Sequence, residues 1–187
     1  MYALILTRAQ RSQRGFTLIE TMVVVAIAAV LAALAAPSFT PIVERWRIRS
    51  ATESLQSALY LARSEAIKRG GNVVIRKELT GTNGCPLASG TSDWDCGWFV
   101  FVDANSNGTL NTGEEVLQRF AAPNNIQVTR SANGEFLRFD RWGRSGPFGF
   151  SIVPVDKSTS NPAARGLCMS SGGRIQITPP ADTPCSG

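Results

Sequence analysis

Arg14-Gly15-Phe16-Thr17-Leu18-Ile19-Glu20 opens an almost unbroken apolar run that continues to Ala36. Read as a helix rising 1.5 Å per residue, residues 16–36 reach about 30 Å, the depth of one bilayer crossing. Glu20 stands near the start of that run. A carboxylate in hydrocarbon costs about 2.5–3.5 kcal/mol on insertion scales, so such a residue is normally paired and functional. A partner arises if the chain is cut after Gly15, because the new amino terminus at Phe16 is cationic. It would lie one helical turn from Glu20, in the same subunit or in a neighbour. A secretory signal peptide has its apolar stretch first and its cleavage site behind it, the reverse of this order. A plain signal anchor accounts for Arg8, Arg11 and Arg14 by the positive-inside rule but gives Glu20 no role.

With its three arginines, the string from Arg8 to Glu20 closely resembles the type III signal of type IV pilins and secretion-system pseudopilins. The resemblance implies removal of residues 1–15 by a prepilin peptidase and N-methylation of Phe16. It also implies that Glu20 recruits the subunit to a growing filament through an inner-membrane assembly platform. The leader would then face the cytoplasm, residues 16–36 would cross the bacterial inner membrane once, and the remainder would lie in the periplasm. Loss of Arg8, Arg11 and Arg14 with the leader lowers the formal charge of +5 by three, so a basic composition says little about nucleic acid.

Beyond Pro37 a second helical stretch is marked by Ile48, Ala51, Leu55, Leu59, Ala62 and Ala66, which recur at three- and four-residue steps. Arginines and glutamates occupy the other positions, and Gly70-Gly71 supplies a helix stop. Pro37 and Pro41 should kink the join, but 16–69 otherwise reads as one long helix, half in lipid and half on a globular head. Within it, Leu55-Gln56-Ser57-Ala58-Leu59-Tyr60-Leu61-Ala62-Arg63-Ser64-Glu65-Ala66-Ile67-Lys68-Arg69-Gly70 resembles the signature of the GspH/FimT family of minor pseudopilins and minor pilins.

The rest of the head, 71–187, is β-rich by pattern. Segments 73–76, 98–102, 116–120, 126–129, 136–139, 148–153 and 174–178 are short, rich in β-branched or aromatic residues, and separated by Gly, Asn and Pro clusters. The family resemblance implies a helix packed on antiparallel sheets, an α+β fold of the type IV pilin kind. The domain plan is therefore leader 1–15, membrane helix 16–36, amphipathic half 37–70 and head 71–187. Cys85, Cys96, Cys168 and Cys185 all fall on the periplasmic side, where disulfides form. Of the three pairings, sequence proximity favours Cys85 with Cys96 and Cys168 with Cys185. Zinc is a weak rival, since the chain has no C-x-x-C pair and no His.

Two further patterns bear on binding. Asp103, Asn105, Asn107 and Glu114, with Gly108 at the turn, fit a calcium-loop spacing. Their flanks read as strands rather than the helices that an EF-hand needs, so an ordinary turn is the stronger reading. Arg138, Arg141 and Arg144 are interleaved with Phe136, Phe139 and Trp142, and Arg174 follows near the C-terminus. Such side chains can neutralise phosphates without reading sequence. DNA-binding relatives of FimT type carry a Gly-Arg-x-Arg element, of which Gly173-Arg174-Ile175-Gln176 matches only the first half. Core aromatics with solvated arginines remain the simpler account.

No enzymatic constellation is present: without His there is no Ser-His or Cys-His pair, and Ser170-Ser171-Gly172-Gly173 lacks a P-loop Lys. No cofactor is expected. The chain reads as a minor subunit of a type IV pilus, placed near the tip beside other pilin subunits. Pseudopilin H of a type II secretion system and a DNA-binding pilin of natural transformation are the alternatives. The Cys168 and Cys185 pair and the partial Gly-Arg element lean toward FimT and FimU relatives.

Overall fold

The computed structural model describes residues 15–35, 39–82, 85, 88–121 and 123–185, and residues 1–14 of the leader expected at 1–15 lie outside them. The chain divides into two compact units, Met1–Thr40 and Pro41–Gly187. In the first, α1 (Leu18–Ala35) has 18 residues, about 27 Å of helix. Among the described residues no helix is long and apolar enough to cross a membrane. The helix expected from residue 16 begins at Leu18, and Ala36 and Pro37 are outside the described residues.

From Pro41 onward the second unit holds α2 (Thr40–Arg69), a 30-residue helix whose buried side chains are Ile48, Ala51, Thr52, Leu55, Ala58, Leu59, Ala62 and Ala66. These are the positions the periodicity marks, with Thr52 and Ala58 added on the same face. Thr52 can sit there because its hydroxyl donates to the Ile48 carbonyl at 2.7 Å. The helix stops where Gly70 turns to φ +80° and the Gly71 N–H reaches back to the Ala66 carbonyl at 2.7 Å, a six-to-one closure.

Eight strands follow: β1 (Val73–Lys77), β2 (Trp98–Val102), β3 (Val116–Phe120), β4 (Ile126–Arg130), β5 (Phe136–Phe139), β6 (Phe148–Pro154), β7 (Arg165–Met169) and β8 (Ile175–Thr178). They form two four-stranded antiparallel sheets, β3-β2-β1-β5 and β4-β6-β7-β8. One core joins α2 to the inner faces of both, with Val73, Ile75, Trp98, Val100, Leu137 and Phe139 from the first and Ile126, Val128, Phe150, Ile152, Leu167 and Met169 from the second. The fold is thus α+β, a helix on antiparallel sheets.

Seven strands coincide with the segments read from sequence, and β7 is the correction. Its Arg-Gly-Leu-Cys-Met run lacks β-branched residues because of what lies over it. Cys168 bonds to Cys185, with Cα atoms 5.8 Å apart, and draws the C-terminal segment across the second sheet. A Cβ at Gly149 would stand 2.8 Å from the Cys185 sulfur, and one at Gly166 would stand 2.7 Å from the Thr183 hydroxyl. Small residues therefore form a track for the tail, in place of the branched side chains a strand usually carries. Cys85 and Cys96 form the second disulfide, with Cα atoms 5.6 Å apart.

The segment after β2 closes over the outer face of the first sheet, where Val74, Phe99 and Phe101 are buried with Leu110 and Phe136 packed against them. Asp103, fully buried, organises it: Oδ1 accepts the Asn107 N–H at 3.0 Å, and Oδ2 accepts the Gly108 N–H and an Arg138 guanidinium N–H, both at 2.8 Å. Glu114 accepts the N–H groups of Ala104 and Asn111 at 2.9 and 2.8 Å. Asn105 and Asn107 accept from the backbone N–H two residues on, at 3.1 and 2.7 Å. The oxygens that the calcium-like spacing would offer thus accept hydrogen bonds from the loop's own backbone and from Arg138. No group of three acidic or sulfur side chains able to hold a metal occurs among the described residues.

Two outcomes are expected. Asp103→Ala should cost about 3 kcal/mol in thermal melting, because it removes a buried carboxylate from an ion pair and two N–H donors, whereas calcium should leave the wild-type midpoint in place. A calcium-induced rise would contradict that account. The second concerns Asp95, whose Oδ1 accepts the Val128 N–H at 2.5 Å and whose carboxyl is pushed above its ordinary range by burial. The folded chain holds this proton more tightly than the unfolded chain. Its contribution is therefore full below the ordinary carboxylate range and is lost as pH rises through the raised value. Melting compared between wild type and Asp95→Asn should shift in favour of wild type between about pH 7 and about pH 4, and a constant gap would refute the assignment.

Candidate functional site

At the head of α1, Thr17 accepts the Glu20 N–H on its hydroxyl at 3.3 Å, and its carbonyl accepts the Thr21 N–H at 3.2 Å. Thr17 is thus the N-cap and Glu20 the third helical residue, a Thr-x-x-Glu arrangement at the positive end of the helix dipole. The sequence held that capping signal, and the reading of Glu20 as an intramembrane charge passed over it. The Glu20 side chain is exposed and has no cationic partner among the described residues. Around it Phe16, Leu18, Ile19, Met22 and Val23 are all more than half exposed, and every described side chain of α1 is exposed. An apolar surface of that extent calls for lipid or for other apolar helices.

The signature stretch of α2 does two kinds of work in the head. Its Ala and Leu side chains enter the core, and its charged side chains bind loops to the helix. Arg63 donates to the Gly173 carbonyl at 2.6 Å, which ties the turn between β7 and β8 to the helix. Arg69 pairs with Glu65 on the same helix and with Glu115 before β3, both at 2.7 Å. An amphipathic periodicity alone would not require either contact.

Of the four arginines considered for nucleic acid, three share a groove of about 610 Å³ beside the end of α2, lined by Arg138, Arg141, Arg144, Asn72, Asp140 and Ser171 among others. Arg138 is held by Asp103 and lies 5.7 Å over the Phe136 ring. Arg144 pairs with Asp140 at 3.2 Å. The Asp140 carboxyl is held below its usual range by the backbone N–H groups of Arg144 and Trp142 and by that guanidinium, despite partial desolvation. Arg141 lies 5.9 Å over the Trp142 ring and has no acidic partner among the described residues. Arg174 is elsewhere. It donates to Gln176 at 2.9 Å and borders a second cavity of about 550 Å³ with Phe148 and the Cys168–Cys185 bridge, and Ser171 is common to both. The quartet is therefore split three and one, and most of the groove's charge is already answered within the chain. Asp140, which orders the loop, is the residue the sequence reading passed over, and its Asp-Arg-Trp-Gly turn was the available signal.

Comparison with known proteins agrees with this architecture. The family model described as "Type II transport protein GspH" matches residues 51–173, and the prokaryotic N-terminal methylation motif matches residues 10–36. The chain is 30% identical over 175 residues to the pilin-like protein PilA1 of Thermus thermophilus, which covers 89% of this chain and 99% of the relative. A fimbrial protein of Pseudomonas aeruginosa is 42% identical over 64 residues, spanning 34% of this chain and 41% of that protein. The fold is similar to that of the type IV minor pilin FimU of Pseudomonas aeruginosa, with a TM-score of 0.56 and 24% identity over 78% of this chain and 98% of that one. Helix, paired sheets, methylation motif and signature stretch together place the chain in the GspH family of pilin-like subunits.

Proposed function

We propose that this chain is a minor subunit of a type IV pilus, cleaved between Gly15 and Phe16 by a prepilin peptidase and N-methylated on Phe16. Residues 16–36 hold it in the inner membrane until the assembly platform draws it into the filament near the tip. The observation that carries this reading is a methylation motif lying directly on an apolar helix whose described side chains are all exposed, with Glu20 as the lone unpaired charge on its first turn. In the filament the Glu20 carboxylate pairs with the Phe16 amine of a neighbour, and the Ala- and Val-rich helices pack together. The role is packing rather than chemistry. Similarity to a pilin-like protein along nearly its whole length supports a filament subunit of the pilin kind.

Glu20→Ala should leave leader removal intact, as read by intact mass of membrane-extracted protein, while lowering recovery in sheared filaments by about tenfold, the loss of a charge-assisted contact. Undiminished recovery would contradict the pairing. Cross-linking in the native membrane followed by mass spectrometry separates the two machines, because pilus minor subunits are expected and secretion pseudopilins would reassign the chain.

The arginine groove favours one second reading, contact with the phosphates of DNA, in which Arg141 is the available cation. If it holds, the full chain should bind duplex DNA with an affinity that falls steeply with salt, and Arg141→Ala should reduce the logarithmic salt slope by about 1. Binding indifferent to salt or to Arg141→Ala would remove DNA from consideration.

A further inference from the structure

The first turns of α2 carry a surface that neither the core nor the signature explains. Arg45, Arg47 and Arg49 fall within five residues, interleaved with Trp46, and Ile42 and Val43 precede them. Trp46 is 68% exposed, Ile42 60% and Val43 41%. Ile42, Trp46 and Ser50 follow at steps of four and so share one face. A groove of about 330 Å³ between that face and the segment after β3 is lined by Trp46, Arg47, Ser50 and Asn124 among others. On the other flank Arg45, Arg49, Arg165 and Ile177 border a groove of about 400 Å³. Arg49 pairs with Glu53 at 2.7 Å. Arg45, Arg47 and Arg165 have no acidic partner among the described residues, and Arg165 spends one nitrogen on the carbonyls of Pro162, Ala163 and Ala164.

We propose that this surface rests on anionic phospholipid headgroups while the subunit waits in the membrane. The assignment rests on the reading of α1 as a membrane anchor. The chemistry is specific in kind: guanidinium forks match phosphate oxygens, and an exposed indole beside short aliphatic side chains suits the water–hydrocarbon boundary. Negative surface potential attracts each such cation, and the apolar stripe adds burial. Chain length imposes proximity as well. Trp46 follows Ala35 by eleven residues, so even a fully extended linker keeps it within about 40 Å of the end of α1. With α1 inserted, the patch is tethered within that distance of the bilayer.

The test reconstitutes the full chain into vesicles whose phosphatidylcholine carries bromine high on its acyl chains, with or without about one-third phosphatidylglycerol. Trp94 and Trp98 are fully buried, which leaves Trp46 and Trp142 as the exposed indoles. Bromine should quench fluorescence more strongly in the anionic vesicles. Trp46→Phe should remove at least about half of that quenching, and Trp142→Phe should leave it in place. Replacing Arg45, Arg47 and Arg49 by Gln should lower the anionic-lipid component by about tenfold. Quenching unchanged by Trp46→Phe, or equal with and without phosphatidylglycerol, would overturn the assignment. So would protection of Trp46 that arises only when other pilin subunits are added, which would give the surface to a neighbour. A chain that fails to float with the vesicles would overturn the anchor reading and this one with it, whereas a chain that floats with Trp46 unquenched sinks this inference alone.

Discussion

Close approach of α2 to the sheets is the constraint on which the head depends. Ala51, Ala58, Ala62 and Ala66 are buried on the helix face that meets the core, and their small side chains let the backbone come near enough for Leu55 and Leu59 to reach between the two sheets. Larger residues at those positions would lift the helix and open the single cluster that now links it to Trp98, Phe139 and Phe150. The same closeness brings Arg63 within reach of Gly173 and Arg69 within reach of Glu115. Packing therefore sets the geometry in which the polar contacts form.

The helices were legible because their signals are local. Apolar spacing fixed the buried face of α2, and Gly70 fixed its end. Seven strands were legible because β-branched and aromatic residues gather in short runs between Gly, Asn and Pro clusters, whether both faces are covered, as in β2, or one is. β7 departs from that rule because its outer face meets the C-terminal tail, a non-local contact that a window of sequence cannot register. The calcium-like spacing is the converse case. Asp, Asn and Gly at those intervals satisfy backbone donors as readily as they ligate an ion, and here they accept from Arg138 and from the loop's own N–H groups.

The arginines show how far composition can be read into a surface. Interleaved Arg and aromatic residues suggested one basic patch, but Asp103 and Asp140 lie close enough to pair with two of them, and Arg174 stands in another cavity. Neither acid is adjacent in sequence to the arginine it serves. Charge segregation is stronger on the early turns of α2, where the alternating Arg45, Arg47 and Arg49 outnumber Glu44 and Glu53, than in the groove lined by Arg138, Arg141 and Arg144.

The bridge between Cys168 and Cys185 has a mechanical consequence. β8 is an edge strand, joined by hydrogen bonds to β7 alone, and an edge strand pulled from its free end would unzip one bond at a time. Here the segment beyond β8 is locked to Cys168 near the end of β7, 17 positions before its partner in the sequence. A load applied at Cys185 bypasses β8 and enters the sheet through β7, which is bonded on one side to β6 and on the other to β8. A subunit so built can sit under tension without its last strand peeling away.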